Sequence, residues 1–324
     1  MADRSHGASR APGARGTLRV LTHFPAERLA RAAQELPWVE LVPIPTEGGL
    51  PAEASGDVLV TFAWGAPNVA DAVAHGVRWV HAIGTGVDRF PFDALGGRVL
   101  TCARGASAVP ISEWVLAMML AFEKKLPESW IAARDQWRRL ELGGLSGRTL
   151  GLLGLGSIGA AVATRALPFG MRVRAVRRSA RPSPVEGVEL VGDVRAVLST
   201  ADHLVLALPS TPATRHVIDA EALARVKHGL HLINVSRGTL VDQDALRAAL
   251  DDGRVARASL DTVDPEPLPE GHWLYTHASV RLSPHASWSM PGALEVFVDT
   301  LIDNLRRWRA GEPLAGVVDV REGY

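Results

Sequence analysis

The sequence predicts an α/β protein made of two doubly wound parallel-sheet domains with a cleft between them. Three observations carry this. Apolar strand-like runs alternate with helical patterns along almost the whole chain, the signature of parallel sheets covered by helices. A glycine-rich turn, Gly154-Leu155-Gly156-Ser157-Ile158-Gly159, lies near the middle, with a block of such units on each side. Near the end the rhythm changes to one long amphipathic stripe.

In chain order, residues 1–16 are rich in Arg, Ala, Gly and Ser and have no apolar core of a secretory signal; a disordered tail is expected. Leu18 to Phe24 reads as a strand and Pro25 to Leu36 as a helix. Further strands are expected at Val39 to Ile44, Asp57 to Phe62, Val77 to Ile83 and Arg98 to Cys102. Val109 to Leu126 is apolar on nearly every side, which predicts a helix buried all round, at the connection between domains. The polar segment from Lys124 to Gly147 carries Trp130 and Trp137. It reads either as an arm that packs on a partner subunit or as a surface loop with two buried anchors.

Thr149 to Leu153 reads as a buried strand running into the glycine turn, and the Ala-rich stretch from Ala160 as the helix that follows. Gly154 permits the tight turn, Gly156 lets a pyrophosphate approach the backbone, and Gly159 lets helix and strand pack closely. The helix N-terminus, Ser157 and Ile158 included, then favours an anion. Strands follow at Arg172 to Val176, His203 to Leu208, His231 to Val235, Ala256 to Leu260 and Val280 to Leu282, and Asp242 is expected to cap a helix running to Leu250. Leu294, Phe297, Val298, Leu301, Leu305 and Trp308 form the late stripe, a helix expected to return to the first domain. The expected division is 17–105 plus 288–324 for a discontinuous substrate-binding domain, with 106–287 inserted as a Rossmann-like or flavodoxin-like dinucleotide-binding domain.

Composition narrows the function. The chain has 324 residues and a formal net charge of zero, which gives no general attraction to nucleic acid or to an anionic membrane. Cys102 is the single cysteine, so no intramolecular disulfide forms, and a reducing cytoplasm fits best. No apolar run reaches membrane-spanning length. No two histidines stand at i, i+4 with a Glu between them, so no zinc helix is expected; His75, His81, His203, His216, His228 and His231 read as structural or solvent-facing.

Three strand ends past the glycine turn hold ionisable residues: Arg237 in Ile233-Asn234-Val235-Ser236-Arg237-Gly238, Glu266 in Asp261-Thr262-Val263-Asp264-Pro265-Glu266-Pro267, and His285 in Ser283-Pro284-His285. Ligands of open α/β sheets bind outside such ends. Taken singly, each also has a plain reading as an ion-pair partner, an exposed acid and a capping histidine.

Together these motifs resemble the D-isomer-specific 2-hydroxyacid dehydrogenase family. Leu208-Pro209-Ser210-Thr211-Pro212-Ala213-Thr214 and Gly84-Thr85-Gly86-Val87-Asp88 match two more of its patterns; Thr262 and Ser283 are mild departures. The similarity runs from about Leu18 to the end and looks most like the glyoxylate/hydroxypyruvate reductase branch. The resemblance implies that His285 is the acid/base, that Glu266 orients its ring and favours the imidazolium, and that Arg237 binds the substrate carboxylate and polarises the carbonyl. It implies substrate binding at the Thr85-Gly86 turn, an adenine pocket lined by Pro209, a cofactor site that also includes Thr214 and Val235, and a carboxamide contact at Asp261. Trp64, after a strand of the first domain, is expected to wall the substrate pocket, and Trp288 is a similar candidate.

The second strand of the nucleotide unit ends in Arg177-Arg178-Ser179, with no acid where an NAD site places one against the ribose. That predicts NADP(H) in preference to NAD(H). The expected activity is NADPH-dependent reduction of a small 2-oxoacid by a homodimer. A D-2-hydroxyacid dehydrogenase for a bulkier 2-oxoacid or for 3-phosphoglycerate, and a dinucleotide-sensing corepressor-like interaction protein, are the alternatives.

Overall fold

The computed structural model describes residues 16–179 and 181–324. Apart from Gly16, the expected N-terminal tail lies outside the described residues. The chain divides into two compact units. One comprises the described residues up to Ala106 together with Pro291–Tyr324; the other is Ser107–Met290.

In the first unit the order is β1 (Leu18–Thr22), α1 (Ala30–Glu35), β2 (Val39–Pro43), β3 (Val58–Phe62), α2 (Val69–Ala74), β4 (Trp79–Ile83) and β5 (Val99–Cys102). The second unit contains α3 (Ala108–Glu123), β6 (Thr149–Leu153), α4 (Ser157–Ala166), β7 (Arg172–Val176), β8 (Val188–Leu190) and α5 (Val194–Leu198). It continues with β9 (His203–Leu206), α6 (Ala220–Leu223), β10 (Leu230–Asn234), α7 (Gln243–Asp251), β11 (Val255–Leu260) and β12 (Val280–Leu282). Helix α8 (Ala293–Ala310) belongs to the first unit.

The sheet of the first unit has the order β2-β1-β3-β4-β5, and that of the second β12-β11-β10-β9-β6-β7-β8. Every pairing between these strands is parallel. Central strands β4, β6 and β10 are buried at every position, while edge strands β2 and β8 are only partly covered. That is why the central strands read as continuous apolar runs. β8, three residues long and mostly solvated, has no apolar run to betray it and was not expected.

Helix α8 starts after Gly292 and stops at Gly311, both left-handed, with Glu295 in its first turn and Arg307 and Arg309 in its last. Phe297, Val298, Leu301, Ile302, Leu305 and Trp308 bury against Leu18, Val20, Val58 and Trp79. Asp242 caps α7 as expected, its Oδ1 accepting from Asp244 N–H and Ala245 N–H.

Two expectations need correction. Helix α3 is not buried all round in the chain: Ile111, Val115, Leu116 and Met119 are buried, but Val109, Glu113 and Ala117 are exposed. An apolar sequence marks what a face prefers, not that its own chain covers it. Nor are Trp130 and Trp137 buried anchors, being 71% and 78% exposed.

Beneath α3 runs a buried polar chain. His203 Nε2 meets Glu123 Oε1 at 3.2 Å, His203 Nδ1 meets His231 Nδ1 at 3.1 Å, and His231 Nε2 meets Ser259 Oγ at 2.9 Å. One proton assignment satisfies it with both rings neutral: His203 Nε2 donates to Glu123, His231 Nδ1 to His203, and Ser259 to His231. Arg148 closes the far end on Glu123 at 3.3 Å.

Candidate active site

In the second unit the chain turns from β6–β8 on one side to β9–β12 on the other, so the strand order reverses between β6 and β9. An open α/β sheet binds ligands outside the strand ends at such a point. The glycine turn sits there. Gly154 has φ +103°, and a Cβ on it would lie 2.5 Å from the Ala207 carbonyl oxygen beyond β9. A Cβ on Gly159 would lie 2.2 Å from the Gly154 oxygen, so helix and turn touch as backbone. Around Gly156 there is open space, and it caps α4, whose first N–H groups have no carbonyl within their own helix to bond. This cradle fits a dinucleotide pyrophosphate.

Arg177, Arg178 and Ser179 follow β7 directly, Arg178 and Ser179 exposed. Arg177 donates from one terminal nitrogen to the Pro182 carbonyl at 2.9 Å. The Pro209 carbonyl accepts from Thr214 Oγ1 at 2.7 Å, so that hydroxyl closes its own loop. The Val235 side chain is in the core, one residue past the end of β10.

The ionisable trio converges at the ends of β10, β11 and β12. Asn234 staples its turn from both sides, Nδ2 donating to the Arg237 carbonyl at 2.8 Å and Oδ1 accepting from Ser236 N–H at 3.1 Å. Gly238 then lies against the next loop: a Cβ on it would stand 1.9 Å from the Val263 carbonyl carbon. Only the absence of a side chain lets the Arg237 and Glu266 loops approach so closely. Glu266 Oε1 accepts from Val263 N–H and Oε2 from His285 Nδ1, both at 3.0 Å. Burial alone would raise the Glu266 carboxyl. The His285 hydrogen bond, the Val263 N–H and the charges of His285 and Arg237 outweigh it and hold the group below the ordinary carboxylate range. With Nδ1 committed, His285 keeps Nε2 for a reacting proton. Its backbone is left-handed at φ +53°, which for a residue with a Cβ costs about 1–2 kcal/mol.

Asp261 is 2% exposed. Its carboxylate accepts hydrogen bonds from the Ser283 hydroxyl and from the Ala286 and Ser287 N–H groups, and its carbonyl accepts from His285 N–H. Trp288 Nε1 donates to the His285 carbonyl at 2.9 Å. None of these bonds within the histidine loop could be read from the motif.

In the first unit Thr85 and Gly86 form the turn after β4, and Thr85 Oγ1 donates to the Ala103 carbonyl at 3.1 Å. A Cβ on Gly84 would lie 2.8 Å from Ala63 Cβ, so this turn touches the loop after β3. There Trp64, 62% exposed, stacks on Phe62 with centroids 5.2 Å apart and planes at 4°. Phe24 packs on Phe62 at 4.7 Å, an aromatic neighbour not singled out from sequence.

The comparisons with known proteins agree with the class this fold and site define. Residues 116–287 match the model described as D-isomer specific 2-hydroxyacid dehydrogenase, NAD binding domain. The chain is 31% identical over 274 residues to glyoxylate/hydroxypyruvate reductase A of Serratia proteamaculans, covering 81% of this chain and 86% of that one. It is 32% identical to D-3-phosphoglycerate dehydrogenase of Methanocaldococcus jannaschii over 76% of its own length, and spans about half, 48%, of that protein. The solved structure of a D-isomer specific 2-hydroxyacid dehydrogenase from Xanthobacter autotrophicus Py2, in complex with NADPH and MES, superposes with a TM-score of 0.84 at 27% identity, covering 95% of this chain and all of that one. The chain belongs to the D-isomer-specific 2-hydroxyacid dehydrogenase family, whose members are NAD(P)-dependent oxidoreductases.

Proposed function

We propose that this protein catalyses NADPH-dependent reduction of a small 2-oxoacid, of the glyoxylate or hydroxypyruvate type, to the D-2-hydroxyacid. The observation that carries the reading is the 3.0 Å Glu266–His285 pair at the strand ends of the dinucleotide-binding sheet, with the Arg237 loop packed on the Glu266 loop. The cofactor, when bound, supplies the hydride. His285 gives its Nε2 proton to the substrate oxygen as the carbonyl carbon gains hydride, so the C=O becomes CH–OH. Glu266 holds Nδ1 and offsets the charge of the protonated ring. Arg237 binds the substrate carboxylate and stabilises negative charge growing on the oxygen. Gly154, Gly156, Ser157, Ile158 and Gly159 would hold the pyrophosphate, Arg177, Arg178 and Ser179 a 2′-phosphate, and Pro209, Thr214, Val235 and Asp261 the remainder. In the first unit, Thr85, Gly86 and Trp64 are the candidate substrate contacts. The preference for NADP(H) rests on the double arginine; the NADPH-bound relative supports it.

The stacked Phe62–Trp64 pair favours a second reading, reduction of a 2-oxoacid with a larger apolar group. A panel from glyoxylate to phenylpyruvate, followed by loss of NADPH absorbance, tests both. Highest kcat/KM for glyoxylate or hydroxypyruvate supports the first reading, for an aryl or branched 2-oxoacid the second, and turnover of none refutes the assignment. The working form is a homodimer. The exposed Trp130 and Trp137 support this, as does a cavity of about 280 Å³ in the same unit, lined by Trp114, Met118, Leu126 and Leu282 among others.

A further inference from the structure

We infer that Asp261 is a positioning residue that clamps the catalytic histidine loop; the inference rests on the proposed role of His285. Three donors of the 283–287 loop converge on its carboxylate. The Ser283 hydroxyl and Ala286 N–H reach Oδ1, Ala286 at 2.9 Å, while Ser287 N–H is shared between Oδ1 at 3.2 Å and Oδ2 at 3.1 Å. The Asp261 carbonyl takes a fourth donor, His285 N–H, at 2.9 Å. The histidine is thus flanked on both sides by residues bonded to one buried side chain. Its backbone is left-handed, a conformation that a residue with a Cβ keeps only where its surroundings impose it. Asp261 itself is fixed, as the first residue after β11, with its N–H on the Asn234 carbonyl of β10 at 3.0 Å. It therefore ties the His285 loop to the same strand end that carries the Arg237 turn.

This role differs from that of a cofactor contact. Oδ1 already serves three donors, and only Oδ2 has capacity left for a carboxamide N–H. The two roles separate by substitution. Asp261→Asn can keep its one oxygen at the Oδ1 place, so most of the clamp survives. Asp261→Ala removes it.

The test measures kcat, KM for the 2-oxoacid and NADPH affinity by fluorescence in both variants, with Ser283→Ala and Ser283→Thr beside them. The histidine nitrogen–proton NMR spectrum of the cofactor-free protein reports whether His285 keeps its proton on Nδ1 toward Glu266. Asp261→Ala should lower kcat about 100-fold at saturating NADPH, with the Nδ1–H signature of the cofactor-free protein lost. Asp261→Asn should recover at least about tenfold of that loss, and Ser283→Thr should hold what Ser283→Ala loses. The clamp is overturned if Asp261→Ala keeps near-normal kcat and the Nδ1–H signature, or if its sole defect is weaker NADPH binding. Should Asp261→Ala fail to fold, equal kcat in Ser283→Ala and wild type overturns the clamp instead. The spectrum needs no substrate, so a wrong clamp and a wrong reaction give different results.

Discussion

Arg177 stands where an NAD-binding unit places an acid, and Arg178 and Ser179 follow it into solvent. A guanidinium repays a 2′-phosphate with charge-assisted hydrogen bonds of roughly 1.5–3 kcal/mol each. One or two such bonds would give NADPH a tenfold to few-hundredfold advantage in kcat/KM, at ~1.4 kcal/mol per factor of ten. Arg177→Asp should lose most of that advantage and Arg177→Ala part of it, with the same 2-oxoacid and each cofactor varied. Wild type using NADH as well as NADPH would mean these arginines hold no phosphate. Glu266 belongs to the same scale. Its carboxyl lies below the ordinary range, so it stays charged as pH falls until that lowered value is passed. Glu266→Gln leaves His285 Nδ1 without its carboxylate partner and should lower kcat at least about tenfold, with NADPH binding by fluorescence unchanged. Near-normal kcat in that variant would remove Glu266 from this role. His285, Glu266 and Arg237 were legible because each is a distinctive residue type in a fixed motif. Gly238 was not, since its importance lies in a backbone contact with Val263, far along the chain. The Asp261 clamp was hidden for the same reason.

At the scale of elements, strands β4, β6 and β10 announced themselves because burial on both faces favours a mostly apolar run. The short edge strand β8 and the one-turn helices α5 and α6 carry no such signal. In α3 the apolar sequence marks a helix whose every face seeks cover, and part of that cover is missing within the chain. Val109 is 43% exposed, and the two arm tryptophans more so. Two-fold symmetric association is the commonest way to cover such a surface. Light scattering at micromolar concentration should therefore give twice the chain mass. Trp137→Glu should weaken the assembly, and a wild-type monomer would end the idea. The approach of two loops gives a second test here. Gly238→Ala forces a Cβ into the Val263 backbone and should cost about 1–3 kcal/mol or more, because no flexible side chain can yield. Thermal unfolding of that variant measures it; an unchanged melting temperature would show that the loops move apart freely.

For the whole molecule, buried titratable groups set the response to acid. Burial lowers His81, in the first unit, to about 3, and burial, with the nearby Arg257 charge, lowers His231, in the second, well below its ordinary value. Both rings stay neutral in the fold while the unfolded chain takes up a proton, so their contribution is full above about pH 6.5 and is lost as pH falls. Glu123 acts in the same direction. Burial would raise it, but the hydrogen bond from His203 and the charge of Arg148 hold it below its ordinary value, and its contribution disappears as pH drops through that lowered value. Between about pH 7.5 and about pH 5.5 each unit should lose roughly 1.4 kcal/mol, read from denaturant unfolding. Stability that stays level across that interval would contradict the neutral buried histidines. The reaction itself is tested most directly by His285→Ala under saturating NADPH and 2-oxoacid. The expected result is a fall in kcat of at least about 100-fold, with NADPH binding by fluorescence unchanged. Near-normal turnover in that variant would contradict His285 as the proton donor, and with it the catalytic role of the set built around it.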